Sequence, residues 1–250
     1  MKTPEEQFQN ELENFRLEID ISLQLLFAYL SIHAIAARNK KILEVMNHTP
    51  LFWNTNSYAL QCSCFITLGR IFDQNSKHNI DRVLGIAQEN LNIFSKESLA
   101  QRKRQLSENA DEWLNDYMKD VYEPTIKDFR RLRRLAAKYR RIYEQGYRDI
   151  RHKIFAHREV VDKYEIDKLF QNTNITDMQK LSVFLSKLHD ALWQLFHNGR
   201  KPVLKQVPFS AKQILIRKLE EWRQGTVQER IVNDTKKLLT NLKTLKRQIM

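Results

Sequence analysis

The run PTIKDFRRLRRLAAKYRRIYEQGYRDIRHKIFAH, Pro124 to His157, carries one glycine, Gly146, and no proline after Pro124 itself. Its apolar positions recur at steps of three and four: Leu132, Leu135, Tyr139, Ile142, Gly146, Ile150 and Ile154. That is the period of one face of a helix. Proline suits a first helical turn, because its missing N–H would have no partner there. The run therefore reads as one long helix from near Pro124 to about His157. One further step of three lands on His157, which puts it on the buried seam if the helix persists. Gly146, on the same seam, lets another backbone approach closely.

The rest of the chain has the same character. Five glycines and five prolines in 250 residues lie far below the average usage of roughly 7% and 5%. So few turn formers cannot punctuate the many short strands of a sandwich or barrel, and the fold class is all-α. A first helix, continuous or broken once, runs from Pro4 to about Met46, with Phe8, Leu12, Phe15, Ile19, Ser22 or Leu23, Leu26 and Leu30 on its apolar stripe. Asn47-His48-Thr49-Pro50 stops it, since proline pushes its predecessor out of helical geometry. Leu51 to Phe72 is a helix apolar nearly all round, expected at the centre of the fold. Asn79 caps a helix over Ile80–Phe94, and Ser95 to Ser107 and the segment around Trp113 and Tyr117 are shorter ones. Thr176-Asp177-Met178-Gln179 reads as the capping box of a helix ending at Asn198-Gly199. Pro202 and Pro208 mark a linker; Ser210 caps a helix to Gln224, Gly225 interrupts, and a lysine-rich helix continues to the end. The expected architecture is an up-and-down helical bundle over residues 1–198, a linker over 199–209 and a helical C-terminal extension over 210–250.

The net charge is +12 and the pI about 9.7. Such a chain attracts polyanions, nucleic acid before anionic membrane. The charge concentrates on the long helix: between Lys127 and Lys153 there are eleven Lys or Arg against three Asp or Glu. Arginine grips phosphate bidentately, which makes Arg130, Arg134, Arg141, Arg148 and Lys153 candidate nucleic-acid contacts. Arg131, Arg133 and Arg140 belong to the same basic run, with Tyr139, Tyr143 and Tyr147 as stacking planes among them. The plainer alternative is a solvated face with local pairs such as Glu144–Arg148.

Other chemistry is sparse. Cys62 and Cys64 point in opposite directions on a helix and cannot pair, and two ligands make no structural zinc site. His33, His48, His78, His189 and His197 show no metal-like pairing with carboxylates, so neither metal nor cofactor is expected. Ile21–Ala37 and Val45–Gly69 lack Asp, Glu, Lys and Arg, but the first is short for a span and carries Gln24 and His33. The second holds Pro50, Asn54, Asn56 and Gln61, a heavy polar load for hydrocarbon. Glu5, Glu6, Glu11, Glu13 and Glu18 are the opposite of a signal peptide's basic start. The expectation is a cytoplasmic protein with no membrane segment.

That leaves Arg151, His152 and His157. A fixed cation and a titratable imidazole are the smallest set that can break RNA without a metal, one for the phosphorane oxygens and one for the hydroxyl protons. In an uninterrupted α-helix, six residues turn the chain by about 600°, leaving Arg151 and His157 roughly 120° apart. They converge if the helix ends near His157, or if a second copy of the chain supplies the other half.

Tyr147-Arg148-Asp149-Ile150-Arg151-His152-Lys153-Ile154-Phe155-Ala156-His157 resembles the signature of the HEPN superfamily (higher eukaryote and prokaryote nucleotide-binding). In that signature an arginine and a following polar residue precede a histidine by four to six positions. Phe52-Trp53-Asn54 through Ala59-Leu60 to Leu68-Gly69-Arg70-Ile71-Phe72-Asp73 resembles its abortive-infection, phage-resistance branch. The resemblance covers roughly residues 5–198. It implies an up-and-down helical bundle, usually a homodimer with the motifs facing each other. Many members are metal-independent endoribonucleases of phage-defence or toxin–antitoxin systems; others keep the fold as non-catalytic nucleic-acid-binding or interaction modules. Carried over, Arg151 would stabilise the phosphorane, His157 would be general base or acid and His152 the supporting polar residue. The products would be a 2′,3′-cyclic phosphate and a 5′-hydroxyl. Arg70, Asp73 and Tyr147 would support the site or hold the fold, Arg70 with Asp73 pinning a helix end to its loop. RNA and an antitoxin or defence-system component are the implied partners. Arg158 and Glu159 follow His157, so the tyrosine two places after the histidine, modified in some members by a nucleotidyltransferase antitoxin, is absent.

Overall fold

The computed structural model describes residues 2–157, 159, 162–204, 210–216 and 225–249, with side chains described up to residue 242. Among them there is no strand, and the chain is all-α. The helices are α1 (Pro4–Arg38), α2 (Lys40–His48), α3 (Pro50–Phe72), α4 (Ile80–Glu89), α5 (Lys96–Leu106), α6 (Ala110–Lys119) and α7 (Ile126–Gly146). They continue with α8 (Arg148–Ile150), α9 (Lys163–Gln171), α10 (Ile175–Asn198), α11 (Ala211–Ile216) and α12 (Val227–Ile249). A 3-10 turn occupies Leu91–Phe94, and a π-helical turn occupies Arg151–Ala156.

The helix ends follow local chemistry, with some shifts from expectation. The first helix breaks at Asn39, whose side chain accepts the Ile42 N–H and starts α2. Asn79 caps α4 and Ser95 caps α5, as their residue types require. Pro124 lies before α7 rather than in its first turn. Thr125 and Asp128 begin that helix, Asp128 accepting from the Thr125 N–H at 2.9 Å and from its hydroxyl at 3.0 Å. The capping residue of α10 is Asn174, not Thr176, because Asn174 takes the extended backbone that aims its side chain at the Asp177 N–H. Gly199 closes α10 in the left-handed conformation, φ 58°. Residues 217–224 of the expected Ser210–Gln224 helix and 205–209 of the expected linker lie outside the described residues.

The chain groups into two compact units. The first comprises Met1–Ile19, Gly69–Gly146 and Asn174–Val207. Its core joins Phe8 of α1, Phe94, Phe129 of α7 and Phe196 of α10, with Phe8 5.1 Å from both Phe94 and Phe196. Arg102 ties the same corner, donating to Glu5, to the Ile93 carbonyl and to the Phe196 carbonyl, with its guanidinium 4.2 Å above the Phe196 ring. The buried stripe of α7 is Phe129, Leu132, Ala136, Arg140 and Tyr143, rotated from the one expected. On that stripe Arg140 turns inward to Asp81 and the Phe72 carbonyl. Arg140 is therefore part of the packing and not of the outer basic face.

The second unit comprises Asp20–Leu68, Tyr147–Thr173 and Pro208–Met250. Ile42 of α2, Trp53 of α3 and Leu239 of α12 form one buried cluster, with Ile32, Ile35, Met46 and Leu242 against it. The last helix is thus packed into this unit through its apolar face. The expectation of a wholly central α3 holds for Trp53 and for its later residues. Cys64, Phe65, Leu68, Ile71 and Phe72 are buried, whereas Leu51, Phe52 and Tyr58 are exposed. Cys62 and Cys64 are free thiols; burial pushes Cys64 up to about 12, and its Sγ lies 3.8 Å from the Ser22 carbonyl. Among the described residues one helix, Pro4–Arg38, is long and apolar enough to cross a membrane, and 44% of its apolar stretch is buried.

Candidate functional site

The expected single helix through Arg151 and His157 does not form. Helix α7 stops at Gly146, the poorest helix former within it, and Tyr147 leaves helical geometry at φ −129°, ψ −29°. One short turn, Arg148–Ile150, restarts the helix, and from Arg151 the ladder widens to the π pattern. The His157 N–H donates to the His152 carbonyl at 3.0 Å, an i→i+5 bond. The turn is packed from several sides. Ile150 and Ile154 are buried, and Phe155 sits 5.4 Å from Phe65 and 6.4 Å from Phe170. Tyr147 is buried with its ring 5.5 Å from Phe65.

The widened turn changes which side chains meet. Residues five apart now stand above one another, and the rings of His152 and His157 lie near parallel, 6.1 Å between centroids and 15° between planes. Arg151 Nη1 is 3.2 Å from His152 Nε2. A guanidinium only donates, so Nε2 accepts and the ring proton of His152 is on Nδ1. Guanidinium, bridging imidazole and second imidazole thus form one continuous row in a single chain. His157 is exposed at the end of the helix, not on the buried seam expected for it, because the ladder ends at Ala156. Arg151 and His152 are half-buried. A row of this kind can offer fixed positive charge, a positioned acceptor and a solvent-facing proton carrier.

Around the row, Arg148 is exposed and Lys153 leans on Asp149 at 3.4 Å. Arg158 lies outside the described residues. In the other unit, Arg130, Arg134 and Arg141 lie on the exposed side of α7 with Lys127 and Lys138, in steps of three and four that keep them on one face. The expected stacking role of Tyr143 and Tyr147 is overturned, since both are buried, Tyr143 stacking on Phe72 at 5.4 Å. Tyr139 stacks on Phe184 at 4.0 Å, so it too is spent on packing. Arg70 forks onto Glu18, with both N–O distances 2.8 Å, and the Asp73 N–H donates to the Gly69 carbonyl at 2.8 Å. Among the described residues no three His, Cys, Asp or Glu side chains gather as a metal group would require. The π-turn itself was not legible in the sequence; the one hint was the glycine that ends α7 ahead of the motif.

Comparison with known proteins adds one finding. A family model described as AbiU2, of the HEPN type, matches residues 5–214, most of the chain and past residue 198. No curated protein and no solved structure matches.

Proposed function

The chain belongs to the AbiU2 family, a HEPN-type abortive-infection family, and on that premise we propose that it is a metal-independent endoribonuclease acting in phage defence or as a toxin restrained by a partner. The observation that carries this reading is the Arg151–His152–His157 row in the π-turn. In the proposed reaction the 2′-oxygen attacks the adjacent phosphorus in line, and His157 takes the proton of the 2′-hydroxyl. Arg151 faces the charge that grows on the phosphorane oxygens. The P–O5′ bond breaks, the 5′-oxygen leaves with a proton, and a 2′,3′-cyclic phosphate remains. His152 has its Nε2 occupied by Arg151, so it is a positioning residue that sets the guanidinium's angle. The acid that protonates the 5′-oxygen then comes from the imidazole of a second copy, which favours a homodimer with paired motifs, or from water. The setting proposed is the cytoplasm, where RNA is the polyanion at hand.

The test is cleavage of a mixed RNA in EDTA. Wild type should yield cyclic-phosphate ends, and His157→Ala should lower the rate at least a hundredfold while helicity and solution mass stay unchanged. Cleavage that survives His157→Ala rejects the mechanism. A second reading, a non-catalytic nucleic-acid-binding module, is favoured by the exposed cations of α7, which need no motif to hold a backbone. It predicts salt-dependent binding with no product at any protein concentration.

A further inference from the structure

Tyr58 of α3 meets Phe155 at 5.5 Å between ring centroids and 67° between planes. Phe155 follows Arg151 by four residues, close to a full turn of an i→i+5 helix, so both side chains leave the backbone on one side. Phe155 is held from behind by Phe65 and Phe170. Phe65 is also on α3, seven residues beyond Tyr58 and on the same helix face, and it is buried while Tyr58 is 54% exposed. The aromatic row that packs the π-turn therefore ends at Tyr58, a ring open to solvent and in contact with the turn that carries Arg151. From Val45 to Gly69 the chain has no Asp, Glu, Lys or Arg, so neighbours along α3 bring no charge to this ring. Asn54 and Gln61, one turn before and one turn after Tyr58, put amide donors and acceptors on the same face. A flat, neutral surface with amides at its margin, touching the turn that carries Arg151, has the chemistry of a nucleobase seat.

We propose that Tyr58 is the platform on which the nucleobase adjoining the scissile phosphate stacks, an inference that rests on the reading of Arg151, His152 and His157 as an RNA-cleaving row. Tyr58 is a substrate-positioning residue that gives the enzyme a base-dependent register, whereas Arg151 reads only phosphate.

The probe is a single-stranded oligoribonucleotide carrying 2-aminopurine at each position in turn, bound to the His157→Ala protein so that it stays intact. Binding should quench the fluorescence at one or two adjacent positions. Tyr58→Phe should keep the quench. Tyr58→Leu should abolish it and weaken binding about 5- to 150-fold, the range expected for one base stacked on one ring. In otherwise wild-type protein, Tyr58→Leu should slow cleavage of the intact oligonucleotide but not of one with abasic sugars flanking the cut. A quench that survives Tyr58→Leu overturns the platform while leaving the nuclease reading in place. Solution mass altered by Tyr58→Leu would overturn it as well, since Tyr58 would then be packing copies together. Failure of any RNA to bind, quench or no quench, would remove the RNA-cleaving reading and the platform with it.

Discussion

Arg151 Nη1 and His152 Nε2 are 3.2 Å apart, and only the arginine can be the donor. The proton on His152 is thereby assigned to Nδ1, and the ring acts as an acceptor that aims the guanidinium. Replacing His152 by Phe keeps a flat ring without the acceptor, and should cut turnover on the order of a hundredfold through misplaced charge. His152→Gln, which restores an acceptor, should recover part of that loss. Arg151→Lys should not recover, because a point charge lacks the planar fork. Single-turnover cleavage with RNA affinity measured alongside checks this, and equal turnover in His152→Phe and wild type would remove the positioning role.

Lys127, Arg130, Arg134, Lys138 and Arg141 share the exposed face of α7, and its three tyrosine neighbours are spent on packing. Binding along this helix should then be phosphate-directed and indifferent to base. The double change Arg130→Gln, Arg134→Gln should reduce the salt slope of single-stranded RNA binding by about 1.4, two contacts at ~0.7 each. Titrations at several salt concentrations, on homopolymers of different base, would show an unchanged slope if the face is merely solvated.

His197 is pushed below its ordinary range, first by burial, then by Arg102, Lys103 and His189. A histidine whose folded value is lowered holds fewer protons folded than unfolded. Its contribution to stability is full above the unfolded value of about 6.5 and is lost as pH falls below it. Urea midpoints should therefore drop between pH 7.5 and 5, and His197→Gln should flatten part of that drop. An unaltered pH dependence in the variant would exclude the effect.

Two glycines should answer oppositely to the same change. A Cβ on Gly199 would sit 2.7 Å from Val121 Cγ1 and 2.9 Å from Leu99 Cδ2, at φ +58°. Gly199→Ala should cost about 2–4 kcal/mol, left-handed strain plus overpacking. Gly85 lies within α4, and a methyl added there would have nothing inside 4 Å. Gly85→Ala should stabilise by about 0.5–1 kcal/mol. Thermal or urea unfolding of both variants settles the pair, and a gain at Gly199 would contradict the packing described.

Much of this was legible in the residues. Stripes such as Phe8, Leu12, Phe15 and Ile19 depend only on helical period, and they are buried as read. The cap at Asn79 and the stop at Gly199 depend on local backbone chemistry, and they stand where the sequence places them. The inward turn of Arg140 on α7 was not legible, because its partner Asp81 is far away in the chain. The exposure of Tyr58 was equally hidden, since an apolar helix does not announce which of its faces the fold will leave uncovered.

The sequence by itself determined the all-α class, several helix ends and the presence of an Arg151, His152 and His157 motif, because period, capping and residue type act over a few neighbours. Only the tertiary structure decided how those three side chains meet. Buried Ile150 and Ile154 and the rings around Phe155 pack the π-turn, and that one widened turn sets the His157 ring beside that of His152, which in turn contacts Arg151.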